Sequence, residues 1–253
     1  MNHPPLPSVV FEQQNYFLPF SFPLYHSLRV APLKKPSLEI SSLRLVLGLI
    51  ASVAALLFFA WLTDEVLDGE TKRFDEVTRA AVHQFATPVL TAIMRGLSFV
   101  GSTICLASAT ISLFLWFMSR KWRREAWLLA ITMGGAAILN TTLKLTFRRP
   151  RPVPFFNLTA PESYSFPSGH SLASFCFFGA LAALLTARIN DRRSKLVIWT
   201  SAALMVFSIG LSRIYLGVHY TTDVIAGFAA ALIWIAVIRF SEMQLLRRRN
   251  RAR

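Results

Sequence analysis

The chain has 253 residues, of which 54% are hydrophobic and 16% charged, with 27 Lys and Arg against 13 Asp and Glu and a formal charge of +14. That balance excludes an ordinary soluble domain. The positive excess falls in short blocks between apolar runs, not along one stripe or in a nucleic-acid module, so membrane topology accounts for it and no nucleic-acid partner is expected.

The opening 42 residues hold seven of the thirteen prolines without helical or alternating period, which predicts a mobile proline-rich segment over 1–42. It lacks the charged start, apolar core and small-residue cleavage site of a secretory signal, so no cleavage is expected and the N-terminus is placed in the cytoplasm. Apolar runs follow at 43–62, 102–119, 126–147, 169–187, 196–211 and 222–238. They approach the length of about 20 residues that carries a helix across a bilayer core of roughly 30 Å. The expected fold is all-α: a polytopic bundle of six transmembrane helices over 43–240, followed by a basic cytoplasmic tail over 241–253. Small residues, including Gly134 and Gly135, let such spans approach closely. Between the first two spans, residues 73–100 mix charged and apolar positions and are interrupted by Pro88. They read as interfacial helices, with a short re-entrant element as the alternative. Cys105 and Cys176 lie inside apolar runs without ligand-like spacing and read as packing residues, implying neither a disulfide nor a zinc site.

Charge orients the bundle. Arg120, Lys121, Arg123 and Arg124 follow span two, Arg188, Arg192, Arg193 and Lys195 follow span four, and Arg247, Arg248, Arg249, Arg251 and Arg253 close the chain. With six spans all three blocks fall on one side, the cytoplasmic one. The connection over 64–80, with six acidic and three basic residues, falls on the other. One loop on that outer side breaks the rule, since Arg148, Arg149 and Arg151 cluster there with only Glu162 to offset them.

Three segments meet at this outer face. The first runs off span three as Lys144-Leu-Thr-Phe-Arg-Arg-Pro-Arg151-Pro152; taken alone, Lys144 reads as a lysine snorkelling to the interface. The second is Pro167-Ser168-Gly169-His170, where Ser168 suits an N-cap and the free amides of the helix start form an anion site. The third is Ser212-Arg213, five residues, His219, three more, then Asp223. Four residues apart on a helix, His219 and Asp223 share a face, so the carboxylate can hold the imidazole. Each segment alone is commonplace. Together they gather three cations, a helix-terminal amide cradle and two histidines at one face of an otherwise nearly uncharged bundle, which describes a phosphate site. Arg148 and Arg149 read either as ligands of a second phosphate or an anionic headgroup or as solvated interface charges. Asn140, one turn before Lys144, reads as a structural polar residue, and His83 as incidental.

The combined spacing resembles the tripartite signature of the type 2 phosphatidic acid phosphatase family in its six-span membrane branch, over residues 43–240. The resemblance implies that His219, oriented by Asp223, attacks phosphorus and forms a phosphohistidine, and that His170 protonates the leaving oxygen and later activates water. It further implies that Lys144, Arg151, Ser168, Gly169 and Arg213 bind the phosphate oxygens, without metal or other cofactor. The implied substrate is a lipid phosphate: phosphatidic acid, phosphatidylglycerol phosphate or undecaprenyl diphosphate. The expected setting is a bacterial inner membrane, with the site extracytoplasmic and both termini cytoplasmic. A lipid phosphotransferase using the same intermediate, and a catalytically silent lipid-binding protein, are the alternatives.

Overall fold

The structure, a computed structural model, describes residues 38–159 and 161–251. Most of the expected mobile segment over 1–42 therefore lies outside the described residues. Within them are eight helices and no strand: α1 (Leu38–Asp68), α2 (Lys72–His83), α3 (Pro88–Val100), α4 (Thr103–Ser119), α5 (Arg123–Phe147), α6 (Gly169–Thr186), α7 (Arg192–Tyr215) and α8 (Thr221–Arg251).

Five of these, α1, α5, α6, α7 and α8, are long and apolar enough to cross a membrane, and α3 with α4 qualifies as a sixth crossing bent by 48°. As expected, helices fill 73–100 between the first two long spans, and the 48° bend where α3 meets α4 fits a broken span or the re-entrant alternative. Only α2 stands apart, whereas α3 continues into α4 across Gly101 and Ser102. Ser102 caps the new helix, accepting from the Cys105 amide at 3.2 Å, so the break redirects the chain without ending its course. The helices also outrun the apolar segments. The 64–80 connection is helical except around Gly69, and α8 runs unbroken through Arg251, because backbone hydrogen bonding continues beyond the point where side chains must be apolar.

The core forms around α6, which packs against α4, α5, α7 and α8, while α1 lies on α8 and α3 on α7. Close approach depends on glycine. A Cβ on Gly135 would fall 1.9 Å from the Trp234 ring, and one on Gly227 would fall 2.7 Å from the Ser168 carbonyl, so these positions set how tightly α8 lies on α5 and α6. Outward-facing Leu57, Ile104, Ile138 and Phe207 are exposed, as expected where lipid solvates the bundle. Cys105 and Cys176 are free thiols. At one end of the bundle, Arg188 pairs with Glu125 at 2.6 Å and Arg124 with Glu242. At the opposite end α5 and α7 finish and α6 and α8 begin, so the helix termini carrying the three motifs share one face.

Candidate active site

Each motif segment is shaped locally before it is brought together with the others. Arg148 ends α5 in a left-handed conformation with φ of 48° and Pro150 prevents continuation, which carries Arg151 back across the bundle. Ser168 caps α6, accepting from Ser171 N at 3.4 Å and from Ser171 Oγ at 3.0 Å, while its own amide donates to the Asp223 carbonyl at 2.9 Å. The N-cap of α6 is thereby tied to the start of α8, while the Gly169 and His170 amides have no partner among the described residues. After α7, Gly217 turns the chain at φ of +73° with the Phe155 backbone so near that a Cβ would fall 2.7 Å from it. The turn delivers His219 two residues before α8 begins.

Six of the eight expected residues, Lys144, Arg151, Gly169, His170, Arg213 and His219, line one cavity of about 760 Å³. Ser168 and Asp223 stand fully buried behind it. His219 is 1% exposed, and its Nδ1 lies 3.3 Å from Asp223 Oδ2. Its Nε2 lies 3.0 Å from Arg151 Nη1, which also donates to the Val218 carbonyl at 2.8 Å. Arginine has no acceptor, so Nε2 must accept; the ring proton is thereby assigned to Nδ1, which donates to Asp223. Burial pushes the His219 imidazole down to about 3, with Arg151 and Arg213 adding to the shift and the Asp223 hydrogen bond and charge opposing it. The ring is therefore neutral near pH 7, with its Nε2 lone pair accepting from Arg151 at the cavity wall. Burial also lowers the Arg151 guanidinium from its ordinary value, against the attraction of Asp223. Lys144 Nζ donates to the Tyr164 carbonyl and Arg213 Nη1 to Ser98 Oγ. Arg213 Nε is buried without a partner among the described residues, a donor left for a ligand.

Several residues depart from the sequence reading. Arg149 is neither a phosphate ligand nor a solvated charge. It bridges two carboxylates, with Nη1 2.6 Å from Asp223 Oδ1 and Nη2 2.8 Å from Asp75 Oδ2. Burial disfavours its charge, but the two carboxylates outweigh this and raise its pKa. Asp75 was not singled out by any motif, and neither was Ser165, which donates to Asp223 Oδ2. Asn140 makes no helix-to-helix bridge: it lines the cavity beside Gly169 with Oδ1 unpartnered among the described residues. His83 stacks on Phe155, ring centroids 4.0 Å apart. Arg148 is exposed, its Nε turned back to the Leu145 carbonyl at 3.0 Å.

A bundle of membrane-crossing helices with a cationic, histidine-bearing cavity at one end defines an integral-membrane enzyme of phosphate chemistry. A profile of the PAP2 superfamily matches residues 125–245. Phosphatidylglycerophosphatase B of Bacillus subtilis is 28% identical over 202 residues, covering 79% of this chain and 98% of that protein. An undecaprenyl-diphosphatase of Sulfolobus acidocaldarius is 30% identical over 153 residues, 51% of this chain and 69% of that one. The crystal structure described as the first transmembrane PAP2 type phosphatidylglycerolphosphate phosphatase, from Bacillus subtilis, superposes with a TM-score of 0.70 at 28% identity, covering 76% of this chain and 96% of its own. The chain belongs to the PAP2 superfamily and is a membrane-embedded phosphoric ester hydrolase acting on lipid phosphates.

Proposed function

We propose that the protein hydrolyses a terminal phosphate from a long-chain lipid through a phosphohistidine on His219. Nε2 forms the bond to phosphorus as the bond to the leaving oxygen breaks. His170 supplies the proton to that oxygen, and then takes one from the water that releases phosphate from Nε2. Lys144, Arg151, Arg213 and the amides of Gly169 and His170 hold the nonbridging oxygens, where preorganised charge contributes most to phosphoryl transfer. Asp223, hydrogen-bonded to Nδ1–H, stabilises the imidazolium as it develops.

The observation that carries the lipid assignment is the course of the cavity. From the histidines it continues between α4 and α5 as far as Trp127, seventeen residues before Lys144 on α5. At 1.5 Å per residue that is about 25 Å, most of a bilayer core. Its walls there are mostly apolar, with Leu106 and Phe114 from α4 and Ala130 and Met133 from α5, and Ile111 and Trp127 are exposed along it. An acyl or prenyl chain can lie there with its phosphate at His219.

A smaller cavity of about 330 Å³ favours a substrate with two phosphates. It shares His170 and Arg213 with the first and adds Arg95, Ser98 and Ser102 from one face of the α3–α4 pair. Phosphatidylglycerol phosphate and undecaprenyl diphosphate both carry a second anionic phosphate near the scissile one. The distribution of basic blocks supports a cell membrane with the site extracytoplasmic and both termini in the cytoplasm.

The reading is tested by phosphate release from phosphatidic acid, phosphatidylglycerol phosphate, undecaprenyl diphosphate and a soluble phosphate ester, in detergent with chelator present. Turnover of the lipids, inhibition by vanadate and loss of turnover in a folded His219→Asn variant are expected. Wild-type release by that variant rejects the mechanism. For orientation, a cysteine at Asp68 should react with an impermeant thiol reagent in intact cells.

A further inference from the structure

The helix α2 lies before the region matched by the family profile and contains no motif residue, yet one of its faces touches the segment that follows α5, the turn that follows α7 and the start of α8. Thr78 Oγ1 lies 2.6 Å from Thr221 Oγ1 at the start of α8. Arg79 Nη2 donates to the Val153 carbonyl at 2.9 Å and to the Gly217 carbonyl at 3.1 Å, just after Arg151 and just before His219. Asp75, His83 and these two residues stand at the three- and four-residue spacings that put them on one side of a helix.

Asp75 is the centre of this face. It is fully buried and accepts from Thr222 N at 2.9 Å, Thr222 Oγ1 at 2.7 Å and Arg149 Nη2 at 2.8 Å. The other prong of the Arg149 fork reaches Asp223, and the guanidinium lies 4.1 Å from the centre of the Tyr220 ring. A continuous chain of charge results: Asp75, Arg149, Asp223, His219. A buried carboxylate without a partner is costly, and a planar guanidinium can hold two at once. With His219 neutral the chain sums to one negative charge; when Nε2 bonds to phosphorus the ring becomes cationic and the sum becomes zero.

We propose that Asp75 and Arg149 are positioning residues for phosphoryl transfer: Arg149 keeps Asp223 ionised and turned toward His219, and Asp75 anchors Arg149 while balancing its charge. This rests on the assignment of His219 as nucleophile. The other charged or titratable groups around this chain are Arg79 and Glu76 on α2 and Tyr220 before α8 at the Asp75–Arg149 end, and Lys144 on α5, Arg151 in the following loop, His170 on α6 and Arg213 on α7 at the Asp223–His219 end. None of them joins the two aspartates.

The inference is separated from a merely structural role by a double-mutant cycle on full-length protein, reading phosphatidic acid hydrolysis in detergent across pH. Arg149→Gln leaves two buried carboxylates together, so kcat should fall by on the order of 10² with little change in KM. The acid limb of kcat/KM should move up in pH, because removing a positive charge favours protonation of both Asp223 and His219. Arg149→Lys should recover part of kcat. Adding Asp75→Asn to Arg149→Gln removes the surplus negative charge, so the double variant should be about tenfold more active than Arg149→Gln and its acid limb should return downward. A double variant no better than the single, or an unmoved acid limb, overturns the proposal. Should Arg149→Gln fail to fold, Asp75→Asn decides alone, and wild-type kcat there overturns it. His219→Asn runs in parallel: activity in that variant removes the underlying mechanism, whereas its inactivity beside additive single effects removes only the role of Asp75 and Arg149.

Discussion

Arg151 Nη1 lies 3.0 Å from Nε2 of His219, so the lone pair that would attack phosphorus is occupied by a guanidinium donor in the resting protein. The contact fixes the tautomer and holds a positive charge where a phosphate oxygen would sit. Arg151 is held further by Ser163, with Nε 2.6 Å from its carbonyl and Nη2 3.0 Å from its hydroxyl, and by the Val218 carbonyl on Nη1, which leaves one Nη2 N–H for a ligand, so the group is preorganised.

Arg151→Gln is therefore expected to lower kcat/KM by about 10²- to 10³-fold, the size found when a preorganised oxyanion donor is removed. Vanadate inhibition should weaken in parallel, because vanadate presents the same equatorial oxygens. Arg151→Lys keeps the charge but not the fork and should fall between the two. Unchanged vanadate affinity in Arg151→Gln would detach this residue from the phosphate.

The groove between α4 and α5 allows binding of the lipid chain to be separated from chemistry. A Cβ on Gly134 meets nothing within 4 Å, and the position lines the cavity well below the histidines. Gly134→Leu should fold, since it replaces a poor helix former with a good one. It should lower kcat/KM for long-chain lipid phosphates by about tenfold, equivalent to ~1.4 kcal/mol of crowding. Hydrolysis of a short soluble ester should be unaffected. Equal losses on both substrates would show that the chain lies elsewhere.

What the sequence made legible, and what it did not, follows from how each residue is specified. That Lys144, Arg151, Ser168, Gly169, His170, Arg213, His219 and Asp223 come together is readable because their spacings are tied to helix ends that share one face. The spans are readable because lipid demands long apolar runs. Asp75 is one of six acids in a stretch that looks solvated, and only the docking of α2 distinguishes it from Glu76. Ser165 is hidden for the same reason, since its Asp223 contact joins residues 58 apart. The span over 102–119 is legible as α4, but its pairing with α3 is not, because Arg95 and the break at Gly101 and Ser102 interrupt the hydropathy.

Arg95 gives a prediction about substrate choice. It shares a face of α3 with Ser98, whose hydroxyl contacts Arg213, and both line the smaller cavity beside His170. Arg95→Gln should reduce kcat/KM for undecaprenyl diphosphate several-fold more than for phosphatidic acid, because one exposed cation contributes up to about 1 kcal/mol to a phosphate contact. The measurement is the ratio of the two specificity constants. A ratio unchanged from wild type would leave the smaller cavity without a role in selecting a second phosphate.

Burial of His219 also has a consequence for stability. The unfolded chain holds this imidazole at its ordinary value near 6.5, while in the folded protein burial pushes it down to about 3. Between those values the unfolded state binds the extra proton, so folding stability is fully expressed above pH 6.5 and is lost as pH falls toward 3. Thermal unfolding in a mild detergent should show a midpoint that declines as the buffer is taken from pH 7 to pH 5. His219→Asn removes the titration without removing a polar side chain of similar size, so its midpoint should decline less over the same interval. A variant whose midpoint follows the wild-type slope would mean that His219 is protonated, or solvated, in the folded protein, and the neutral tautomer set by Arg151 and Asp223 would have to be abandoned.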